Sequence, residues 1–471
     1  MVKNIIFELI KKNMRETSSL GSAVLATMTL LACVACPHPA IAQSRGNPSA
    51  ADPPLPAAST PNAGDGPMLA DPVTELPRTP SPQIDAFTLF PNQGEIKPSG
   101  RFDEQRFGYV LHGEAKAAYE SNIFIQPHDA QEDFYFTISP GVAVGWGEFK
   151  SELYGPEKFR HQFEHFAGKN YFFIDYAPSY TWWVDHSDLD TFDHNVRLEA
   201  EWALQRLTLG ASASYVTETV PVEDLGTRVE RRRTLAALTS SYEFSGKTSF
   251  EVNAYYERYE YESNFVDSQE WRNEDWVNYQ VSPKIKLGLG ATFADVDRDN
   301  SAEQTYEQGK LRVIYEPSEN LTISLVGGAE WRQTEGADDR IDGIFQLDAA
   351  WTPYDGTYIY LQGYRRSVTT SAAIGDYYIA TGVYGRIRQR IFQRYYLSLT
   401  AGYQYAEYQN PANTPEFGRA DDLFFIRPGV GFDLSTWLNC EISGEYRQND
   451  STIDRRGFDA AKATVRFNVL F

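Results

Sequence analysis

The chain has 471 residues, a net charge of −21, a mean hydropathy of −0.45 and 14% aromatic residues, with Tyr the commonest of them. The acidic balance argues against a nucleic-acid partner, which needs clustered Lys and Arg. No apolar run after residue 42 reaches the ~18 residues that a membrane-crossing helix requires, but strands that alternate apolar and polar residues escape that requirement and keep mean hydropathy low.

Residues 1–42 read as a signal peptide. Lys11, Lys12 and Arg15 supply the basic start, Ala23 to Ala35 the short apolar stretch, and Ala40-Ile41-Ala42 a small-x-small cleavage site before Gln43. Met14 offers an alternative start, and Leu30-Leu31-Ala32-Cys33 an alternative, lipobox-like ending with Cys33 lipidated. Either way the chain is exported. With four cations (Lys3, Lys11, Lys12, Arg15) against Glu8 and Glu16, the segment carries +2, so the mature chain is near −23 (−21 minus 2). That charge fits a cell-surface protein or a cation-preferring pore. Only Cys440 lies beyond the leader, so no disulfide framework is expected. Residues 43–106 form a second segment, rich in Pro, Ala, Ser and Asp, that lacks the apolar surface to offset ordering entropy; it is expected to be a disordered periplasmic leader, in which Ile84 to Phe90 is a candidate docking stretch.

From 107 to 471 the texture is that of alternating strands. Eighteen are expected, near 107–125, 132–146, 170–184, 191–203, 206–218, 229–244, 247–262, 271–281, 284–294, 302–316, 320–333, 342–352, 356–368, 373–387, 394–408, 420–434, 437–448 and 459–471. In the last, Ala461, Ala463, Val465, Phe467, Val469 and Phe471 share one face, and Lys462, Thr464, Arg466 and Asn468 the other. Apolar faces end in aromatics (Trp202, Trp331, Trp351, Tyr403, Tyr405), which suits interfacial girdles. Short connections such as Leu204–Arg206 and Leu434–Trp437 alternate with longer acidic ones such as Val220–Arg228 and Asn410–Asp422. The fold expected is therefore all-β: a single transmembrane antiparallel up-and-down barrel of 16–18 strands, wide enough for an aqueous channel. Gly147 to Lys169 fits this grammar least well.

Several constellations of residues bear on chemistry. His161-Gln162-Phe163-Glu164-His165 matches H-x-x-E-H but lacks a helical context and a downstream Glu, so no zinc site is assigned. Asp185, His186, Asp188, Asp190, Asp193 and His194 crowd one loop, at a density that can attract calcium but without EF-hand spacing. No G-x-S-x-G, phosphate loop or dinucleotide fingerprint appears. No catalytic residue, resident metal or cofactor is expected, and the chain is not read as an enzyme. The candidate functional set is instead the charged, inward-facing one: Arg197, Glu199, Glu201, Lys284, Lys286, Glu330, Arg332, Glu441, Glu445, Arg447, Lys462 and Arg466. Glu445 and Arg447 are expected to pair with Lys462 and Arg466 on the next strand, and inward Tyr358, Tyr360 and Tyr364 could stack on sugar faces.

The ending ATVRFNVLF resembles the C-terminal signal read by the barrel assembly machinery, with Val465, Phe467, Val469 and Phe471 as the recognised positions. The stretches ISPGVAVGWG (138–147), LDTFDHNVRLEAEW (189–202) and RLTLGASASY (206–215) resemble the putative β-barrel porin-2 family over 107–471. The resemblance implies an outer-membrane channel for passive passage of hydrophilic solutes and transfers no catalytic residue; some similar barrels pass secreted polysaccharide. Expected partners are outer-membrane lipid and lipopolysaccharide, the assembly machinery and, for an exopolysaccharide pore, polysaccharide and periplasmic export proteins. The alternatives are a non-conducting surface scaffold or adhesin with acidic loops, and a barrel-borne hydrolase.

Overall fold

The computed structural model describes residues 107–147, 170–222, 227–262, 265–299, 302–318, 320–336, 338–354, 356–370, 377–392, 394–409, 417–435 and 437–470. Residues 1–106, the H-x-x-E-H stretch and Phe471 lie outside them. Alternation along the chain produces β1 (Gly108–Glu120), β2 (Asp133–Gly147), β3 (Tyr171–Tyr176), β4 (Ser179–Trp183), β5 (Thr191–Asp193), β6 (Asn195–Ala203) and β7 (Leu207–Val222). It continues through β8 (Thr227–Glu243), β9 (Thr248–Tyr261), β10 (Ser268–Ser282), β11 (Ile285–Arg298), β12 (Gln304–Ser318), β13 (Leu321–Thr334) and β14 (Arg340–Trp351). The last six are β15 (Thr357–Thr369), β16 (Tyr377–Phe392), β17 (Tyr395–Tyr408), β18 (Ala420–Asp433), β19 (Leu438–Ser451) and β20 (Phe458–Leu470).

β3 and β4 together lie along β2, and the break between them falls at Pro178, which has no N–H for the ladder. β5 and β6 form their common partner, broken at His194. Twenty segments therefore make 18 staves (20 minus 2). Each stave pairs antiparallel with the next, and β1 pairs with β20 from His112↔Leu470 to Glu120↔Lys462, which closes the sheet. Closure leaves no edge to template aggregation and no unpaired backbone to meet lipid.

The core is inside out relative to a soluble protein. On β12, Leu311 is 64% exposed while Lys310 beside it is 3% exposed, and the same parity runs around the wall. Apolar groups such as Leu289, Leu325, Val383 and Leu399 project outward, and charged groups project into the lumen. A period of two places the sets on opposite faces, and lipid on one side with polar interior on the other makes the alternation favourable. Exposed Trp202, Trp351 and Trp437 ring the short-turn rim, and Trp271, Trp331 and Tyr405 the long-loop rim. On β13, Trp331 lies ten residues (331 minus 321) beyond Leu321, the partner of Trp351. At ~3.4 Å per residue and a tilt of ~40° that spans about 26 Å, the height of a bilayer's apolar band.

Strand ends differ from the sequence expectation by up to five residues in several places, two of them near the barrel mouth. Val220 to Arg228, expected as a long loop, is mostly strand: β7 and β8 pair up to Val222↔Thr227, because the Thr/Val-rich run TETVPV continues the alternation beyond the apolar band. The first strand ends at Glu120 instead of 125. Asn122 bends the chain there: its Oδ1 accepts from Gln126 N at 2.9 Å and its Nδ2 donates to Gln126 O at 2.8 Å, closing a turn in which Ile125 takes φ +49° ahead of Pro127.

Candidate functional site

Inward side chains are placed by strand parity, so the site is assembled from many strands, one or two residues from each. Of the charged groups expected to line the lumen, Arg197, Glu201, Glu330, Arg332 and Glu441 are buried, and Glu199, Glu445, Arg447, Lys462, Arg466 and Lys286 lie half-buried on the same face. Lys284 does not line it. It sits exposed in the β10–β11 turn, where its Nζ donates to Pro317 O at 2.7 Å, because the turn consumes Pro283 and Lys284 before β11 starts.

The inward charges neutralise one another locally, as burial away from bulk water demands. Arg332 donates to Glu330 and to Gln304 Oε1, both at 3.0 Å, and lies over the Tyr306 ring. Arg197 pairs with Glu199, which also accepts from Tyr171 OH at 2.6 Å. Glu445 is shared by Arg427 and Arg447. The pairing expected of Lys462 and Arg466 also extends the other way round the wall. Lys462 and Glu445 are register partners, but the ion pairs run to β1: Lys462 to Glu120 at 3.9 Å and Arg466 to Glu114 at 3.3 Å. Closure of the sheet brings those β1 acids beside β20, and alternation alone does not reveal closure register.

Other pairs were not singled out from sequence. Lys310 Nζ meets Glu274 at 2.7 Å, and Arg312 holds Glu251 at 2.9 Å while covering the Trp276 ring. His112 Nε2 reaches Asp175 Oδ1 at 2.7 Å, from β1 to β3, passing over β2 at Gly141; a Cβ there would lie 2.1 Å from the imidazole. Lys310, Glu274, Glu330 and Arg332 border a cavity of about 250 Å³ between β8 and β15, with Arg233, Tyr255, Glu257, Arg272 and Tyr306 also in its wall.

At the long-loop rim the lumen is narrowed by the first loop, 121–132. Ile123 and Ile125 are 0% and 1% exposed, within the barrel mouth. Ile123 packs with Ala118, Tyr135 and Trp183, and Ile125 joins Tyr364, Tyr378, Tyr408, Leu423 and Phe458. The loop is tied on two sides. Asn122 Nδ2 donates to Asp459 O of β20 at 3.1 Å, and Arg228 of β8 donates from Nε to Ile123 O at 3.3 Å and from Nη2 to Glu120 Oε2 at 3.1 Å. β1 and β8 are not sheet neighbours, so Arg228 bridges the mouth. This is a closed 18-stave antiparallel β-barrel, apolar outside and charged inside, with a loop folded into its mouth.

The acidic loop at 185–194 serves as a tie as well. Asp133 accepts from Asp185 N, His186 N and His186 Nδ1 at 2.9–3.1 Å, and Asp190 accepts from Trp183 N at 2.7 Å. Among the described residues, no three such groups converge as metal ligands. Tyr358, Tyr360 and Tyr364 face inward, but Tyr360 and Tyr364 are packed, with their hydroxyls on Asp348 (2.8 Å) and Gln404 (2.7 Å), so their faces are covered. Val465, Phe467 and Val469 stand on the outward face of β20.

No protein-family model and no curated protein matches the chain. Among solved structures it is similar to vanillate-bound OpdK of Pseudomonas aeruginosa, at 9% identity over 77% of this chain and 99% of that one, with a TM-score of 0.41. It is similar to OccK11 (OpdR) of the same organism, at 9% identity over 79% and 99%, with a TM-score of 0.42. A bacterial polysaccharide outer-membrane secretin is similar at 12% identity over 76% and 97%, with a TM-score of 0.32.

Proposed function

We propose that the chain is a passive outer-membrane channel for small hydrophilic solutes, narrowed at its outer mouth by the 121–132 loop. The observation that carries this reading is the closed sheet whose inward face is charged and whose outward face is apolar. A lumen lined by paired charges solvates polar solutes and offers no adhesion to apolar ones. The resemblance to the porin-2 family supports the same class. Lipid and lipopolysaccharide would surround the apolar belt, and the assembly machinery would read Val465, Phe467, Val469 and Phe471.

Service as an exopolysaccharide pore requires a wider path than the packed mouth leaves, so on that reading the loop must withdraw when periplasmic export proteins engage. A second reading, a non-conducting surface scaffold, draws on the same loop: Ile123 and Ile125 fill the mouth with apolar side chains. Single-channel recording of the refolded chain separates the two. Stable ohmic conductance is the channel result; a folded, heat-modifiable barrel with no conductance is the scaffold result.

A further inference from the structure

We propose that the inner wall formed by β15, β16 and β17 holds a binding subsite for the oxyanion of a small organic acid, centred on Arg388; this rests on the channel reading for its purpose in transport. The inward positions of these three strands include Tyr358, Tyr360, Arg366, Arg386, Arg388 and Tyr396, with no Asp or Glu among them. In a chain of net charge −21, this makes one basic strip in the wall.

Arg388 differs from the other lumen cations. It is 8% exposed, and among the described residues no carboxylate lies within ion-pair distance of it and no acceptor takes its N–H groups. Its close partner among the described residues is aromatic: the guanidinium carbon sits 3.7 Å from the centroid of Tyr396. Stacking of this kind occupies the face of the guanidinium and leaves its N–H edge for a ligand. The acids that act on it from nearby are engaged. Glu441 accepts from Tyr396 OH at 3.3 Å, and Asp433 faces Arg390 at 3.7 Å and accepts from Asn439 at 2.9 Å. Strand register sets Tyr358 and Ser398 on either side of Arg388, and Tyr360 and Thr400 on either side of Arg386. The Arg388 guanidinium beside Ser398 matches a carboxylate: a planar pair of oxygens takes its bidentate fork, and the Ser398 hydroxyl donates to a remaining lone pair. Tyr384, Tyr360 and Phe425 pack beside this patch and give the carbon skeleton an apolar wall.

The test is direct binding of succinate to the refolded barrel by calorimetry, at constant ionic strength against chloride, with conductance measured on the same preparations. Saturable binding is expected, about tenfold weaker in Arg388→Gln and intermediate in Arg388→Lys, which keeps the charge but loses the fork. Lys284→Gln, in the exposed turn, leaves it unchanged. Absence of saturable binding to the unsubstituted protein, or equal binding by Arg388→Gln and the parent with both heat-modifiable, overturns the subsite. If Arg388→Gln does not assemble, Arg388→Lys decides, because unchanged binding there removes the fork from the argument. Conductance without succinate binding rejects the subsite alone; binding without conductance rejects the channel alone.

Discussion

The tie between Arg228 and the first loop allows a quantitative expectation. Arg228→Ala removes the bonds to Ile123 O, Glu120 and Thr219 O, and the contact of the guanidinium with the Trp183 ring at 4.7 Å. Removing one member of a buried ion pair costs about 3–5 kcal/mol when the other charge is stranded. Here Glu120 keeps Arg447 and Lys462, each at 3.9 Å, so the charge is partly compensated. A cost of about 2 kcal/mol against the seated loop is the reasonable figure, roughly a thirtyfold change in the seated-to-released ratio. Asn122→Ala removes the bonds to Gln126 and Asp459 O, at about 1 kcal/mol each. Both act on one loop, so their effects will not add, and a double-mutant cycle measures the coupling. The assay is single-channel recording: each variant should show a new, larger open level or longer time in it, and the double variant should favour it most. Traces of the double variant that superimpose on those of the parent, from barrels that remain heat-modifiable, would refute the loop as the constriction.

Three further outcomes are expected. Gly141→Ala puts a methyl against the His112 ring, so the His112–Asp175 bridge must shift; a loss of about 1–3 kcal/mol should appear as a lower temperature for the folded-to-unfolded gel shift. Lys310→Met removes the cation that neutralises buried Glu274, which keeps a bond from Trp276 Nε1 at 2.7 Å, and should destabilise by about 3 kcal/mol; the double variant with Glu274→Gln should recover much of that loss in denaturant melts. Val465→Arg places a charge on the lipid-facing side of the closing strand, at a cost of up to about 2–4 kcal/mol near the midplane, read as reduced membrane-inserted yield.

How far these features were legible in the sequence depends on the range over which the information acts. The expected staves correspond one to one with those formed, including the pair broken at Pro178 and His194, because a period of two is a local signal repeated along every strand. The same signal separates Lys310 from Leu311 and Trp331 from Arg332. It cannot say where a strand stops while alternation persists, which is why Val220 to Val222 read as loop and Ile123 and Ile125 read as strand. The partners of inward charges lie further still from local pattern. Lys462 has a like-placed acid on the preceding strand, Glu445, yet its ion pair goes to Glu120, more than 300 residues away along the chain (462 minus 120 is 342). Only closure of β1 on β20 makes that choice available, and closure is a property of the whole ring.

The first loop shows why the functional part is hardest to read. Its apolar residues look like a continuation of β1, and they are buried for the same hydrophobic reason that strand residues are, but Ile125 lies against a wall contributed by β15 to β18 and β20, and Ile123 against β1, β2 and β4. Asn122 is the local sign that the chain turns, since a short polar side chain four residues before Gln126 can close a ring of backbone bonds. Arg228 carries no such sign. It follows Thr227 at the tip of a hairpin, where an Arg would ordinarily be solvated, and it reaches Glu120 only because the barrel bends β8 round to face β1. If that reach is what holds the loop, Arg228→Lys, which keeps the charge, should hold the parent's conductance more fully than Arg228→Gln, which loses it and leaves Glu120 to Arg447 and Lys462. A bridge that acts only through its packing on Trp183 would show no such difference.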